Sequence, residues 1–428
     1  MKRKSILLVL CIGMVLTSCK NIKTLNDSDV KNEKSQKKTV MEIQDKGYDL
    51  PIDEKKKKEV VNDCEENMEA IRDIYSEFNG MQEADQNVAR QMMDRMKEII
   101  KQNGNPVRGS DHYSVMENYQ KMEMFLNAAR QEEKDNVILY EIDIDGGITR
   151  KEYTYDGENM FVMSAKMLWN DDTEPMLTYI SLSKIKEWKY TEYGNFCYEV
   201  CVPEPPEVTE IVDGSCIIRV RPLNEECLEY SEKYVGPLGY QGNNLLCSNW
   251  NIENMQDLDY NGIFEYLYNM KYGEKFSNET GVAGVTADEF ESVIMTYLPV
   301  TAEELKEWAV YDEQSNTYAW QRLGYGNYAP THFGLSLPEV IEIKYNEDGT
   351  VVLTINAVCD SVVCNDAVIT HELTVKFQND GSVHYVGNRI LDNGIDNIPK
   401  YQYRLDKCRI DQQRRKVEEN GRTDKKDL

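Results

Sequence analysis

Between residues 51 and 134 the apolar positions recur every three or four residues. In PIDEKKKKEVVNDCEENMEAIRDIYSEF, Val60, Cys64, Met68, Ile71, Ile74, Tyr75 and Phe78 mark one helical stripe, and Asn79-Gly80 stops it. A second stripe, Val88, Met92, Met96 and Ile99, ends at Asn103-Gly104. A third runs through Tyr113, Met116, Tyr119, Met122, Phe125, Leu126 and Ala129. The methionines suit a packed core better than an adaptable binding groove. From Val137 the period changes to two. The runs VILYEIDI, ITRKEYTY, NMFVMSAKMLW, MLTYISL, NFCYEVCV and SCIIRVRPL are separated by turns that include Asp145-Gly146, Asp156-Gly157 and Asp213-Gly214. Such pairs favour the positive φ of tight hairpins.

The second half repeats the plan. IFEYLYNM, TADEFESVIMTYL and TAEELKEWA read as short helices, the last two opening on the capping-box spacings Thr286…Glu289 and Thr301…Glu304. TYAWQR, EVIEIKYN, TVVLTINAV, AVITHELTVKF and SVHYVGNRI read as strands, with Asp348-Gly349 and Asp380-Gly381 closing two hairpins. Helices first and strands second, twice over, predicts an α+β protein of two modules, each of short helices followed by an antiparallel β-meander. The expected divisions are a helical region 51–134, a meander 135–222, a connector 223–256, a C-terminal α+β module 257–391 and a polar tail 392–428. Helices followed by a curved sheet resemble the cystatin and nuclear-transport-factor-like shape, and this applies to the second module.

Ahead of the first helix the pattern is different again. Lys2, Arg3 and Lys4 precede an apolar run from Ile6 to Leu16. That run is about eleven residues, too short for a hydrocarbon layer that needs roughly twenty, and so reads as an export signal. It ends in Leu16-Thr17-Ser18-Cys19, which resembles the lipobox of bacterial lipoproteins. The expectation is a signal peptide over 1–18, lipidation of Cys19, and a flexible polar tether over 19–50. The chain would then sit at the outer face of the cytoplasmic membrane.

Composition adds limits. The chain has 428 residues and a formal net charge of −26. A field of that sign repels phosphate backbones, so no nucleic acid partner is expected. Of eleven cysteines, Cys11 leaves with the signal and Cys19 carries lipid, so an odd number remains for an oxidising compartment. Cys359 and Cys364 bracket a hairpin and are the candidate disulfide. Cys197 and Cys201 are too far apart along one strand to join, but either has Cys216 on the next strand as a candidate partner. Cys64 reads as a buried thiol on a helix stripe. No C-x-x-C pair supports zinc or redox chemistry.

The segments IFEYLYNMKYGEKF, EFESVIMTYLPVTAEELKEWAVYD, YAPTHFGLSLPEV and AVCDSVVCNDAVITHELTVKF, within about 260–390, resemble uncharacterised surface lipoproteins of Gram-positive (Firmicute) anaerobes that carry a domain of unknown function. That resemblance implies the address and carries no catalytic residues.

One stretch looks like a metal loop. EIDIDGGITRKE places Glu141, Asp143, Asp145 and Glu152 at the ligand spacing of an EF-hand calcium loop. Its β-branched and aromatic flanks and the recurrent Asp-Gly turns favour a plain hairpin, with calcium as the alternative and no metal or other cofactor expected. His332 and Ser336 lack a nucleophile elbow, and His371-Glu372 lacks the second histidine of a zinc-protease helix. These readings lead to a binding or envelope-assembly role without catalysis, with the membrane reached through lipid and the cell wall or another envelope protein as partner. The alternatives are a carrier of a small apolar ligand and a wall hydrolase using acidic residues.

Overall fold

The computed structural model describes residues 46–78, 86–171, 173–277, 284–324, 333–359, 367–379 and 381–405. The signal segment, Cys19, His332 and Cys364 lie outside these. Asp53 opens the first helix by accepting the backbone N–H of Lys56 at 2.9 Å, which satisfies one of the donors a helix start leaves bare. α1 (Glu54–Phe78) then buries Val60, Cys64, Met68, Ile71, Tyr75 and Phe78, as the stripe requires. α2 (Gln86–Ile100) packs beside it. α3 (Tyr119–Arg130) is shorter than its stripe suggested. Asn118, at φ 54°, breaks helical geometry just before it, so Tyr113 and Met116 lie in the preceding loop.

Seven strands follow one another across the first sheet: β1 (Val107–Gly109), β2 (Asp135–Ile142), β3 (Ile148–Tyr155), β4 (Met160–Trp169), β5 (Pro175–Tyr190), β6 (Asn195–Val200) and β7 (Ser215–Arg219). All neighbours are antiparallel except β1, which runs parallel to β2. Alternation along the strands gives the sheet two buried faces. Tyr140, Ile142, Ile148, Ala165 and Met167 pack under α1 and α2, while Leu139, Tyr153, Val162, Phe196 and Tyr198 pack under α3. Three strand spacings separate β3 from β6, about 14 Å in a flat sheet. Yet the rings of Tyr153 and Tyr198 lie 5.7 Å apart, and their hydroxyls 3.0 Å. The sheet is therefore curled, and the face under α3 is its concave side.

The rest of the chain has its own core. Around a second sheet of order β12-β13-β14-β15-β8, with β8 (Trp250–Asn251), β12 (Leu337–Tyr345), β13 (Thr350–Val358), β14 (Thr370–Phe377) and β15 (Val383–Ile390), lie α4 (Glu225–Tyr230), α5 (Tyr260–Tyr272), α6 (Ala287–Tyr297) and α7 (Ala302–Trp308). A small sheet joins β9 (Val285–Thr286), β10 (Tyr311–Asp312) and β11 (Thr317–Tyr318). Phe264 of α5, Phe290 of α6 and Tyr318 of β11 stack ring on ring in this core. The capping box at Thr301 forms. The one at Thr286 does not: its side chain makes no cap, and Thr286 is paired with Thr317 in the small sheet. The architecture is α+β throughout.

Parts of the segments read as tether, connector and tail are tied down. Leu238, Leu245, Leu246 and Trp250, within 223–256, are buried in the second core. At the chain's described start, Leu50 N–H donates to Leu182 O at 3.0 Å along β5. Near its described end, the Tyr401 hydroxyl donates to Asp259 at 2.7 Å, and Arg404 pairs with Glu265 at 2.8 Å.

Candidate functional site

On the concave face, register sorts the side chains into rows. Nearest α3, Val137, Tyr153 and Val162 face one another across β2, β3 and β4. One row further along, Leu139, Lys151, Ser164 and Ser181 align. In the next row Arg108, Glu141, Thr149, Lys166 and Tyr179 cross all five strands from β1 to β5. The lining thus passes from apolar to charged along the strand direction. α3 covers the apolar end, which Phe125, Tyr153 and Phe196 fill with packed rings. The charged end is the open one.

The charges there hold each other. Lys151 Nζ meets Glu141 Oε2 at 2.5 Å, with Arg108 Nη1 3.9 Å from the other carboxylate oxygen. Lys166 Nζ meets Asp143 Oδ2 at 2.9 Å, and the Thr149 hydroxyl donates to the same oxygen. Arg108, 3% exposed, also donates Nε–H to Gly109 O and Nη2–H to Asp111 O, bracing the loop that follows β1. Lys151 and Lys166 keep 20% and 25% of their side chains in solvent, so they are reachable, and Tyr179 stands 45% exposed beside Lys166. Burial alone would push the Glu141 carboxyl up, but the charges of Lys151 and Arg108 outweigh it and hold it below the usual glutamate range. Burial would likewise discharge Lys151, yet Glu141 raises it above an ordinary lysine. Burial does win at Asp143, whose carboxyl is raised against the pull of Lys166. What results is a row of fixed donors and acceptors, suited to holding a polar molecule by many directed hydrogen bonds.

The residues singled out as a calcium loop are divided by this geometry. Glu141 and Asp143 contribute to the row, while Asp145 makes a turn by accepting Gly147 N–H at 2.9 Å. Glu152 is an odd number of residues from Thr149, the strand partner of Glu141, and so points to the opposite face. There it pairs with Arg150 and Lys56 under α1. Among the described residues no group of three or more metal-ligating side chains converges. No disulfide joins any two described cysteines. Cys216 faces Tyr198 in register, which puts it on the opposite side of the sheet from Cys197, one of its two candidate partners, and no disulfide joins it to Cys201, the other. Cys359 is buried, and its expected partner Cys364 lies outside the described residues. His371 is buried between Tyr240 and Asn388, and Ser336 is also buried.

Sequence reasoning missed Lys151, Lys166, Arg108 and Tyr179. It also missed a second polar centre, where β12 meets the end of the first sheet. Glu339, 1% exposed, accepts from Arg219 Nη1 at 3.0 Å and Asn195 Nδ2 at 3.3 Å, with His112 Nε2 3.0 Å from its other oxygen. The Tyr113 hydroxyl donates to Pro338 O at 2.7 Å alongside. Burial works to neutralise Glu339, but His112 and Arg219 hold it below the usual glutamate range. This is a latch between the two halves. The loop from Arg108 to His112 links it to the charged row.

One family model matches residues 57–404, a span that holds both sheets, the row and the latch. The chain belongs to DUF6070, a family of unknown function. No curated protein and no solved structure matches it. Among the described residues no helix is long and apolar enough to cross a membrane. For this DUF6070 member, then, the function has to be argued from the site.

Proposed function

We propose that this DUF6070 protein is a lipid-anchored surface protein of a Gram-positive cell that binds a polar component of the envelope through the charged end of its concave sheet. The signal-like segment 1–18 and Cys19 support the address. The observation that carries the binding role is the row Arg108–Glu141–Thr149–Lys166–Tyr179, aligned across five strands and open to solvent at Lys166 and Tyr179. Glu141 and Lys151, each held ionised by the other, are poised to grip a ligand and poorly placed to exchange protons with it. The packed rings at the other end of the face weigh against a small apolar cargo there.

Asp143 supports one second reading. Its raised carboxyl suits a general acid, as the wall-hydrolase alternative requires. Release of soluble fragments from isolated wall, abolished in Asp143→Asn, would establish that reading in place of binding. For the address, Cys19→Ser is expected to move the protein from the membrane fraction to the medium. For the binding role, wild-type protein is expected to sediment with isolated envelopes and Lys166→Met to stay in solution. Equal sedimentation of the two would overturn the assignment of the row.

A further inference from the structure

We propose that the charged row is a binding site for a neutral saccharide. This rests on the binding role proposed above and names its ligand class. Three features of the row point the same way. The first is charge balance. At the charged end of the face Arg108, Lys151 and Lys166 meet Glu141 and Asp143, and Asp145, in the turn beyond, is close enough to Lys166 for its charge to be felt there, so three cations meet three carboxylates. A site for an anion would leave cations in surplus, and the net charge of −26 on the whole chain repels polyanions. A site for a cation would leave carboxylates in surplus. A balanced one favours neither.

The second feature is the alternation of donors and acceptors. A sugar hydroxyl both donates and accepts, so it is best met by an ammonium and a carboxylate side by side. The charged end of the face supplies such neighbours twice, as Lys151 with Glu141 and Lys166 with Asp143. Ser164 and Ser181 add hydroxyls in the adjacent row, in register with Lys151. Each ion pair also holds its own partner in place, so little side-chain freedom is lost when a ligand arrives.

The third is Tyr179. It is one of the large exposed rings of the protein and lies at the end of the row, across the strand pair from Lys166. A half-exposed ring beside hydrogen-bonding groups offers an apolar face to the C–H side of a pyranose. From β1 to β5 the backbone crosses four strand spacings, about 19 Å along the sheet, and the curl draws the side chains of the row together within that span.

Saturation-transfer difference NMR tests this on the secreted protein, residues 20–428, with three named probes: tri-N-acetylchitotriose, maltotriose and cellotriose. At least one is expected to receive saturation from the wild type. Its affinity is expected to fall about tenfold or more in Lys166→Met and in Tyr179→Ala, with the melting temperature of the exposed-site variant Tyr179→Ala unchanged. Glucuronate, the charged control, is expected to bind no better than glucose. Silence from all three probes, or equal transfer in wild type and both variants, overturns the saccharide assignment. If the probes are silent while Lys166→Met still abolishes sedimentation with envelopes, the site stands and only the ligand class falls.

Discussion

Removing the Glu339 carboxylate should unfasten the two halves at a calculable cost. Glu339 is 1% exposed and neutralises Arg219, whose side chain is 8% exposed. Among the described residues the Arg219 Nε–H already lacks a hydrogen-bond partner, and a neutral amide such as Asn195 supplies no counter-charge for the guanidinium. Glu339→Ala would leave a buried cation without its counter-charge, which costs about 3–5 kcal/mol. With about 2.1 cal/mol/K of unfolding entropy per residue, a body of this size would lose roughly 4–7 °C in melting temperature. Calorimetry and urea titration of residues 20–428 read both quantities. Pairing Glu339→Leu with Arg219→Met should recover most of the loss, because the desolvated charge goes with the pair. The sign of the pH effect is fixed too. A carboxyl held below its unfolded value adds stability above the unfolded pKa and loses it as pH falls through the folded one. The wild type should therefore lose stability in acid more steeply than the double variant. A loss under about 1 kcal/mol in Glu339→Ala, or no recovery in the double variant, would refute the latch.

Three further outcomes are expected. Burial depresses the His371 imidazole from 6.5 to about 4. The unfolded chain therefore binds the extra proton between those values, and stability should fall by up to about 3 kcal/mol as pH drops through that window. His371→Gln should flatten the profile there in a thermal-shift series. Gly146 has φ 79°, and a Cβ would come within 2.7 Å of the Tyr75 ring, which is stacked on Trp169 and has nowhere to go. Gly146→Ala is expected to cost about 2 kcal/mol by urea titration. The Cys64 and Cys247 thiols are buried and pushed up to about 12, so a thiol reagent at pH 8 should leave both unmodified until the protein unfolds, as peptide mass mapping would read.

The helices and strands were legible because their signal is local. The stripe from Val60 to Phe78 is the buried face of α1, and TVVLTINAV is β13 to the residue. The candidate site was legible only by halves. Glu141 and Asp143 stood out through loop spacing, which suggested metal chemistry. Their real neighbours, Lys151 and Lys166, depend on register across three strands, and no spacing along the chain encodes that. Arg108 was the hardest to place, since β1 has three residues and pairs in parallel, too short for any period to show. The latch is further out of reach, because His112 and Glu339 meet across 227 residues. Residues 223–256 were misleading for a different reason. Their glycines and asparagines suggest a loop, yet the apolar residues between the turns bury themselves in the second core.

The most direct test of the binding account is native mass spectrometry of residues 20–428 mixed with soluble envelope fragments, compared with the denatured mass. The account predicts discrete adducts on the wild type, spaced by neutral sugar masses and absent from Lys166→Met. A bare protein mass under the same conditions, or adducts that survive Lys166→Met unchanged, would contradict it.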